Sequence, residues 1–488
     1  MALWRSTVIV SAMTMLSRVL GLVRDIVLLN VFGAGKDFDT FVVAFRIPNF
    51  FRRLFAEGAF SQAFIPVLTE YKTGRTHAEV QILISRVFGC LMTVMTALTF
   101  IAMVAAPAVL YIYAPGFHAD PEKFDLAVSM FRLTIPYLLF MSLTAFASSI
   151  LNSYGSFASP AFSPVLLNVA MIAGAWWLTP YMAEPIMALG WAVIAAGVLQ
   201  LAIQIPELWH KKLLIPPKVD FKHEGVDRIM KLMLPALFGV SVTQINLLLN
   251  TIWASFMQDG SVSWLYSAER MTELPLGLIG VAIGTVILPA LSTRHAEQDM
   301  SKFRGMMDWA AKVIVLVGVP ASIALFMLST PIIQALFQRG QFTIEDTQMT
   351  ALALQCMSAG VISFMLIKVF APGFYAQQDT KTPVRVGLMA VAANAILNVV
   401  FIGFFKLIDW QAEHMALALA SSGSALVNAG MLYFYLHKRD IFRFGAHWKK
   451  LFIQFGISNA VMIVALWYAL TWYNGDVSQW IRVAEVIG

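Results

Sequence analysis

Thirteen apolar segments, each long enough to cross a hydrocarbon core, divide this chain. They lie near residues 7–32, 38–68, 82–112, 126–152, 161–179, 186–208, 232–256, 263–292, 309–337, 347–375, 384–405, 413–437 and 449–473. A helix needs about 20 apolar residues to span roughly 30 Å of lipid. Runs of this length read as membrane-spanning helices, which satisfy their own backbone groups in lipid. Composition agrees, with 59% hydrophobic and 13% charged residues against about 25% charged in soluble domains. The expected fold class is an all-α polytopic membrane protein. The opening MALWRSTVIV has one basic residue before an apolar run, as a secretory leader does. The run continues through Ser17, Arg18 and Arg24 without a small-residue cleavage site, so it reads as a retained first span.

With the N-terminus in the cytoplasm, the cytoplasmic loops and span edges collect nineteen Lys and Arg, from Lys72 and Arg75 to Lys449 and Lys450. The opposite side collects four: Lys36, Lys123, Arg339 and Lys406. That asymmetry is what the positive-inside rule requires. It also accounts for the net charge of +6 without a nucleic-acid partner, because no soluble basic domain exists to hold one.

The longest cytoplasmic connection, residues 210–231, is charged and contains Pro216-Pro217. Either side of it the sequence partly repeats. FIPVL at 64–68 resembles ILPAL at 287–291, and SFASP at 156–160 sits opposite DTKTP at 379–383. Pro66 and Pro289, and Pro160 and Pro383, are both 223 residues apart. Six spans per half is an even number, so the halves enter the bilayer in the same direction. Parallel repeats of this kind surround a cavity and are a transporter architecture. The expected organisation is a first lobe over 1–209, a linker over 210–231, a second lobe over 232–440, and a C-terminal part over 441–488. That last part holds span thirteen and the start, at Trp480–Gly488, of a span fourteen that reads as truncated.

Several spans carry charge that lipid would not tolerate. The stretch DTFVVAFRIPNFFRRLFAE holds Asp39, Arg46, Arg52, Arg53 and Glu57, with Pro48 expected to interrupt its helix. A central Arg or Asp costs about 2.5–3.5 kcal/mol on insertion scales, so these groups must line a wet interior. Asp39, Arg46 and Arg53 recur every seventh residue, with Glu57 four beyond, which draws one charged stripe. Span one adds Ser17, Arg18, Arg24 and Asp25, and span eight adds Glu269, Arg270 and Glu273. Structural ion pairing is the plainer reading of any one of these residues. Together they describe a cavity with a modest cationic excess, weighted to arginine, whose fork suits phosphate. An anionic headgroup is the natural client, and the carboxylates would exchange partners as the cavity opens and closes.

Enzyme chemistry finds no support. The chain has no phosphate-binding loop, no metal-ligand spacing among its histidines and no cysteine cluster, so neither a cofactor nor a metal is expected. Cys90 and Cys356 lie far apart in apolar stretches and read as reduced core residues.

SRVLGLVRD at 17–25, DTFVVAFRIPNFFRRLFAEGAFSQAFIPVLTEYK at 39–72, GSVSWLYSAERMTELPLG at 260–277 and APGFYAQQDTKTP at 371–383 resemble the MurJ (MviN) family. The resemblance runs over essentially the whole chain. It implies a bacterial inner-membrane flippase of the multidrug/oligosaccharidyl-lipid/polysaccharide exporter superfamily, acting on lipid II, the undecaprenyl-pyrophosphate-linked peptidoglycan precursor. It also implies two six-helix lobes around a cationic cavity and two C-terminal helices that groove the lipid tail. The family's important positions fall on Arg18, Arg24, Asp39, Arg52, Glu57, Arg270 and Glu273, with Ser17, Asn49 and Arg53 close by. Membrane lipids, a coupling cation and the peptidoglycan-synthesis and division machinery stand as candidate partners. A flippase for another polyprenyl-linked lipid, a cation-coupled drug exporter and a scaffold protein remain the competing readings.

Overall fold

The computed structural model describes residues 2–55 and 59–472. Among them every regular element is helical. They fall in two compact units, Met1–Gln244 with Gln258–Gly260, and Ile245–Met257 with Ser261–Gly488. Trp480–Gly488 lies outside the described residues.

The first unit contains α1 (Ala2–Phe32), α2 (Lys36–Phe55), α3 (Ala59–Gly74), α4 (His77–Val104), α5 (Ala106–Tyr113), α6 (Pro121–Thr134), α7 (Tyr137–Ser153), α8 (Ala158–Ala173), α9 (Met187–Ala202), α10 (Ile205–His210) and the start of α11 (Glu224–Ala254). The second contains the end of α11, then α12 (Ser261–Pro275), α13 (Val281–Ala296), α14 (Met300–Met327), α15 (Ser329–Phe337), α16 (Ile344–Tyr375), α17 (Lys381–Leu407), α18 (His414–Lys438) and α19 (Ala446–Trp472).

The offset read from two proline pairs recurs element by element. Helices α4, α5, α6 and α8 begin at 77, 106, 121 and 158, and α14, α15, α16 and α17 begin at 300, 329, 344 and 381, each 223 residues later. Local chemistry sets some of these starts. Thr76 and Glu79 close a reciprocal cap on α4, and Thr343 and Asp346 close one on α16, satisfying backbone donors that a helix leaves open.

Nine helical stretches among the described residues are long and apolar enough to cross a membrane. The other four expected spans coincide with α1, α2–α3, α11 and α12–α13, which include those carrying the internal charges. Span eight runs unbroken through a π-helical turn over residues 276–280 that joins α12 to α13. In span two the helix does not stop at Pro48, as expected, but runs through it to Phe55. Proline removes one donor, and a membrane helix packed on its neighbours absorbs that loss.

Small residues set the packing, as lipid leaves little hydrophobic drive between helices. At the α16–α18 crossing, a Cβ on Gly360 would lie 2.7 Å from the Ser422 hydroxyl, which donates to the Cys356 carbonyl at 2.7 Å. In the first unit, Phe60, Phe64 and Phe146 form an aromatic core with ring centroids 5.2–6.2 Å apart. In the second, Phe303, Phe370 and Phe374 are fully buried among α13, α14, α16 and α18. Cys90 and Cys356 are both buried and free.

Candidate functional site: charged groups within the spans

In the first unit, α1 presents a buried pair. Arg24 donates from Nε and from a terminal nitrogen to Asp25 Oδ1, at 3.0 and 2.7 Å. Its other terminal nitrogen donates to Asn168 Oδ1 on α8 at 3.0 Å, and Asn168 Nδ2 donates to the Ser17 carbonyl at 3.0 Å. Arg24 is 8% exposed and Asp25 2%. The arginine is therefore engaged by a neighbouring carboxylate and an amide, which lets both charges exist away from water. Gly21 faces Asn168, and a Cβ there would lie 3.8 Å from the amide nitrogen, an ordinary contact. Arg18, nearly two turns earlier, is exposed. Asn168 was not singled out in the sequence; a lone amide in span five gives no signal by itself.

Asp39 is 1% exposed on α2. Its Oδ2 accepts from Lys123 Nζ at 3.2 Å and from the Gly260 backbone N–H at 2.8 Å. Lys123 also lies 2.5 Å from Asp259 Oδ1 and 4.2 Å from the centre of the Phe117 ring. The sequence placed Lys123 among loop cations, but it is 4% exposed. This lysine, on the first turn of α6, brings a basic group to Asp39. Nearby, Lys36 bridges Asp120 at 2.7 Å and Glu122 at 3.0 Å. Those hydrogen bonds, Asp120 foremost, raise the Lys36 ammonium pKa, while Lys36 lowers the Asp120 carboxyl.

Farther along α2, Arg46 is 8% exposed, so Asp39 and Arg46, seven residues apart, are both buried. Arg52 Nε donates to Asn49 Oδ1 at 2.8 Å. Glu57 and the Arg53 side chain lie outside the described residues.

In the second unit, Arg270 donates to Glu273 at 2.8 Å and stacks over Tyr266 at 4.9 Å. Glu269 is partly buried beside them on α12. Lys368, on α16, lies against Gly280 and Gly284 beside the π-helical turn of span eight. A polar group unnoticed in the sequence sits between α11, α17 and α18. Asn398 Nδ2 donates to Asn250 Oδ1 at 3.2 Å and Asn394 Oδ1 at 2.9 Å, and Asn250 donates to Ser421 at 2.8 Å. The buried Asn246 Oδ1, Asn394 Nδ2 and Asn398 Oδ1 lack partners among the described residues. The signal was available: QINLLLN and NAILN each place two asparagines four residues apart in a span.

Comparisons with known proteins agree with this architecture. The family model described as lipid II flippase MurJ matches residues 28–485. A Vibrio cholerae protein named probable lipid II flippase MurJ is 44% identical over 98% of this chain and 92% of its own length. A Burkholderia cenocepacia protein named lipid II flippase MurJ is 40% identical over 95% of this chain and 89% of its own. A solved structure titled lipid II flippase MurJ, inward closed conformation, superposes with a TM-score of 0.81 at 26% identity, covering 98% of this chain and 96% of that one. An inward-facing multidrug MATE transporter reaches a TM-score of 0.68 at 14% identity, covering 88% and 97%, which shows a shared fold. The fold and the relatives describe a multi-pass transporter with no catalytic role. With a family model matched from the end of α1 past α19, and relatives aligned over nearly the whole length, this chain belongs to the MurJ family of lipid II flippases.

Proposed function

We propose that this protein is a lipid II flippase of the bacterial inner membrane, oriented with its N-terminus in the cytoplasm. It moves the undecaprenyl-pyrophosphate-linked precursor from the cytoplasmic to the periplasmic leaflet by alternating access. The observation that carries this reading is the near full-length match to relatives named for that activity. The side chains within the spans supply a suitable chemistry. Arg18, Arg24 and Arg52 of the first unit and Arg270 of the second would replace the hydration of the pyrophosphate, whose charge could not enter lipid alone. Ser17, Asn49 and Arg53 would assist them. Asp25, Asp39, Glu57, Glu269 and Glu273 would hold cations, with Arg46 among them, when no substrate is present.

Single π-helical turns within helices are frequent at functional sites, and span eight carries its charges just before one. The membrane potential supplies about 2.3 kcal/mol per charge per 100 mV. A negative interior favours outward passage of an anion, so potential-driven turnover follows, with an ion gradient as a second source.

The test is translocation of headgroup-labelled lipid II in proteoliposomes, beside another polyprenyl-linked lipid. Expected is potential-dependent flipping of lipid II that Arg18→Ala and Arg270→Ala each reduce at least tenfold. Equal flipping of both lipids would move the assignment to a broader substrate class. Undiminished flipping by both variants would remove the arginines from the site.

A further inference from the structure

The segment joining α10 to α11 is held along α4. Gln81 Nε2 donates to the Lys212 carbonyl at 2.8 Å, and Ser85 Oγ donates to the Pro216 carbonyl at 2.6 Å. The Lys218 N–H donates to the Ser85 carbonyl at 3.1 Å, and Asp220 lies 3.7 Å from Arg86. Gly89 makes the approach possible, since a Cβ there would stand 2.4 Å from the Lys218 carbonyl carbon and oxygen. Leu213 is buried.

The contacts fall on Gln81, Ser85 and Gly89, one face of α4 in four-residue steps. They follow the helix for about 12 Å, into its apolar run. After a turn at residues 221–223 the chain reaches Glu224, where α11 begins and Arg75 pairs with it at 3.3 Å. Arg228 pairs with Glu70 at 2.7 Å. The strap therefore dips along the span and returns, with Lys218–Phe221 at its deepest point.

Facing away from α4, this ordered strap and the end of α10 expose Trp209 at 68%, Leu214 at 46%, Val219 at 56% and Phe221 at 49%. Lys212, Lys218 and Lys222 are exposed between them. Large apolar groups interleaved with lysines, at the span ends that carry the basic loops, match the boundary between acyl chains and headgroups. Aromatic rings settle there, and lysine stems lie along apolar surface while their ammonium groups reach anionic headgroups.

We propose that residues 209–222 are an interfacial anchor that seats Trp209, Leu214, Val219 and Phe221 in an anionic leaflet surface, with Lys212, Lys218 and Lys222 on its headgroups. The contact fixes the joining segment to the membrane as well as to α4. A water-facing loop held to a helix at Lys212, Pro216 and Lys218 would have no reason to display four such side chains.

The test uses single cysteines at Val219 and Phe221, with Glu224 as the aqueous control, in the full chain. Cys90 and Cys356 are buried and stay unlabelled. Nitroxides are attached, the protein is reconstituted in vesicles with and without phosphatidylglycerol, and collisions with oxygen and with an aqueous nickel chelate are compared. The expected result is an oxygen-to-nickel ratio at 219 and 221 several-fold above that at 224, on vesicles containing phosphatidylglycerol. Combining Lys212→Gln, Lys218→Gln and Lys222→Gln should lower that ratio on those vesicles. Ratios at all three sites matching on both vesicle types would overturn the anchor. A deep ratio indifferent to the lysine changes and to phosphatidylglycerol would overturn its preference for anionic lipid.

Discussion

Lys123 Nζ stands 3.2 Å from Asp39 Oδ2, with the two side chains 5% and 1% exposed. This pair closes α6 onto α2, and its energetics rest on desolvation more than on attraction. Removing one partner strands the other charge, at about 3–5 kcal/mol for a buried pair. Lys123→Met is expected to destabilise the protein by that amount, and Lys123→Met with Asp39→Asn to recover most of it. Thermal unfolding in detergent, run as a double-mutant cycle, measures both. Simple additivity of the two substitutions would show that they do not act as a pair.

The Arg24–Asn168 contact joins α1 to α8 at 3.0 Å. A hydrogen bond to a charged group contributes about 1.5–3 kcal/mol, so Asn168→Leu should lose about that much stability. Its sharper effect should be on transport, because Arg24 loses the amide that orients it beside Asp25. Flipping by Asn168→Leu is expected to fall well below that of Asn168→Gln, read in the proteoliposome assay.

Gly89 and Gly305 make a matched comparison. A Cβ at Gly89 would strike the Lys218 backbone, whereas Gly305 has nothing within 4 Å of a Cβ. Gly89→Ala should cost about 1–3 kcal/mol, as overpacking does, and speed amide exchange across residues 211–222. Gly305→Ala should be neutral or stabilising by up to about 1 kcal/mol through helix propensity. Equal exchange in the two variants would mean the strap is not held at Gly89.

Burial works to raise the Asp379 carboxyl, but the Thr382 hydroxyl and N–H and the Arg439 guanidinium outweigh it and hold the group down at about 2. Arg439 donates to Asp379 at 2.7 Å, joining the loop before α17 to the end of α18. A depressed carboxyl contributes stability above its ordinary value near 3.8 and loses it as pH falls through about 2. Unfolding curves should therefore be insensitive to this group from pH 7 to 5 and weaken below 4. Asp379→Asn should lower stability at neutral pH and flatten that acid limb.

The membrane class and the repeat were legible because their signals are local. A long apolar run has one destination in lipid, and the 223-residue offset of Pro66 and Pro289 is carried by the helix starts around them. Arg24, Asp39 and Arg270 were likewise legible, since a charge inside a span is conspicuous wherever it points. Pro48 misled, because a proline in a membrane helix need not end it when packing and neighbouring groups offset the lost donor.

By itself, then, the sequence determined that this is an all-helical, two-fold repeated membrane protein with charges inside its spans. Only the tertiary structure decided which groups those charges meet. Asp39 and Lys123 are 84 residues apart and Arg24 and Asn168 are 144 apart. Hydropathy depends on a residue and its near neighbours along the chain. An ion pair depends on which helices pack together and on their rotation, and no local pattern encodes either.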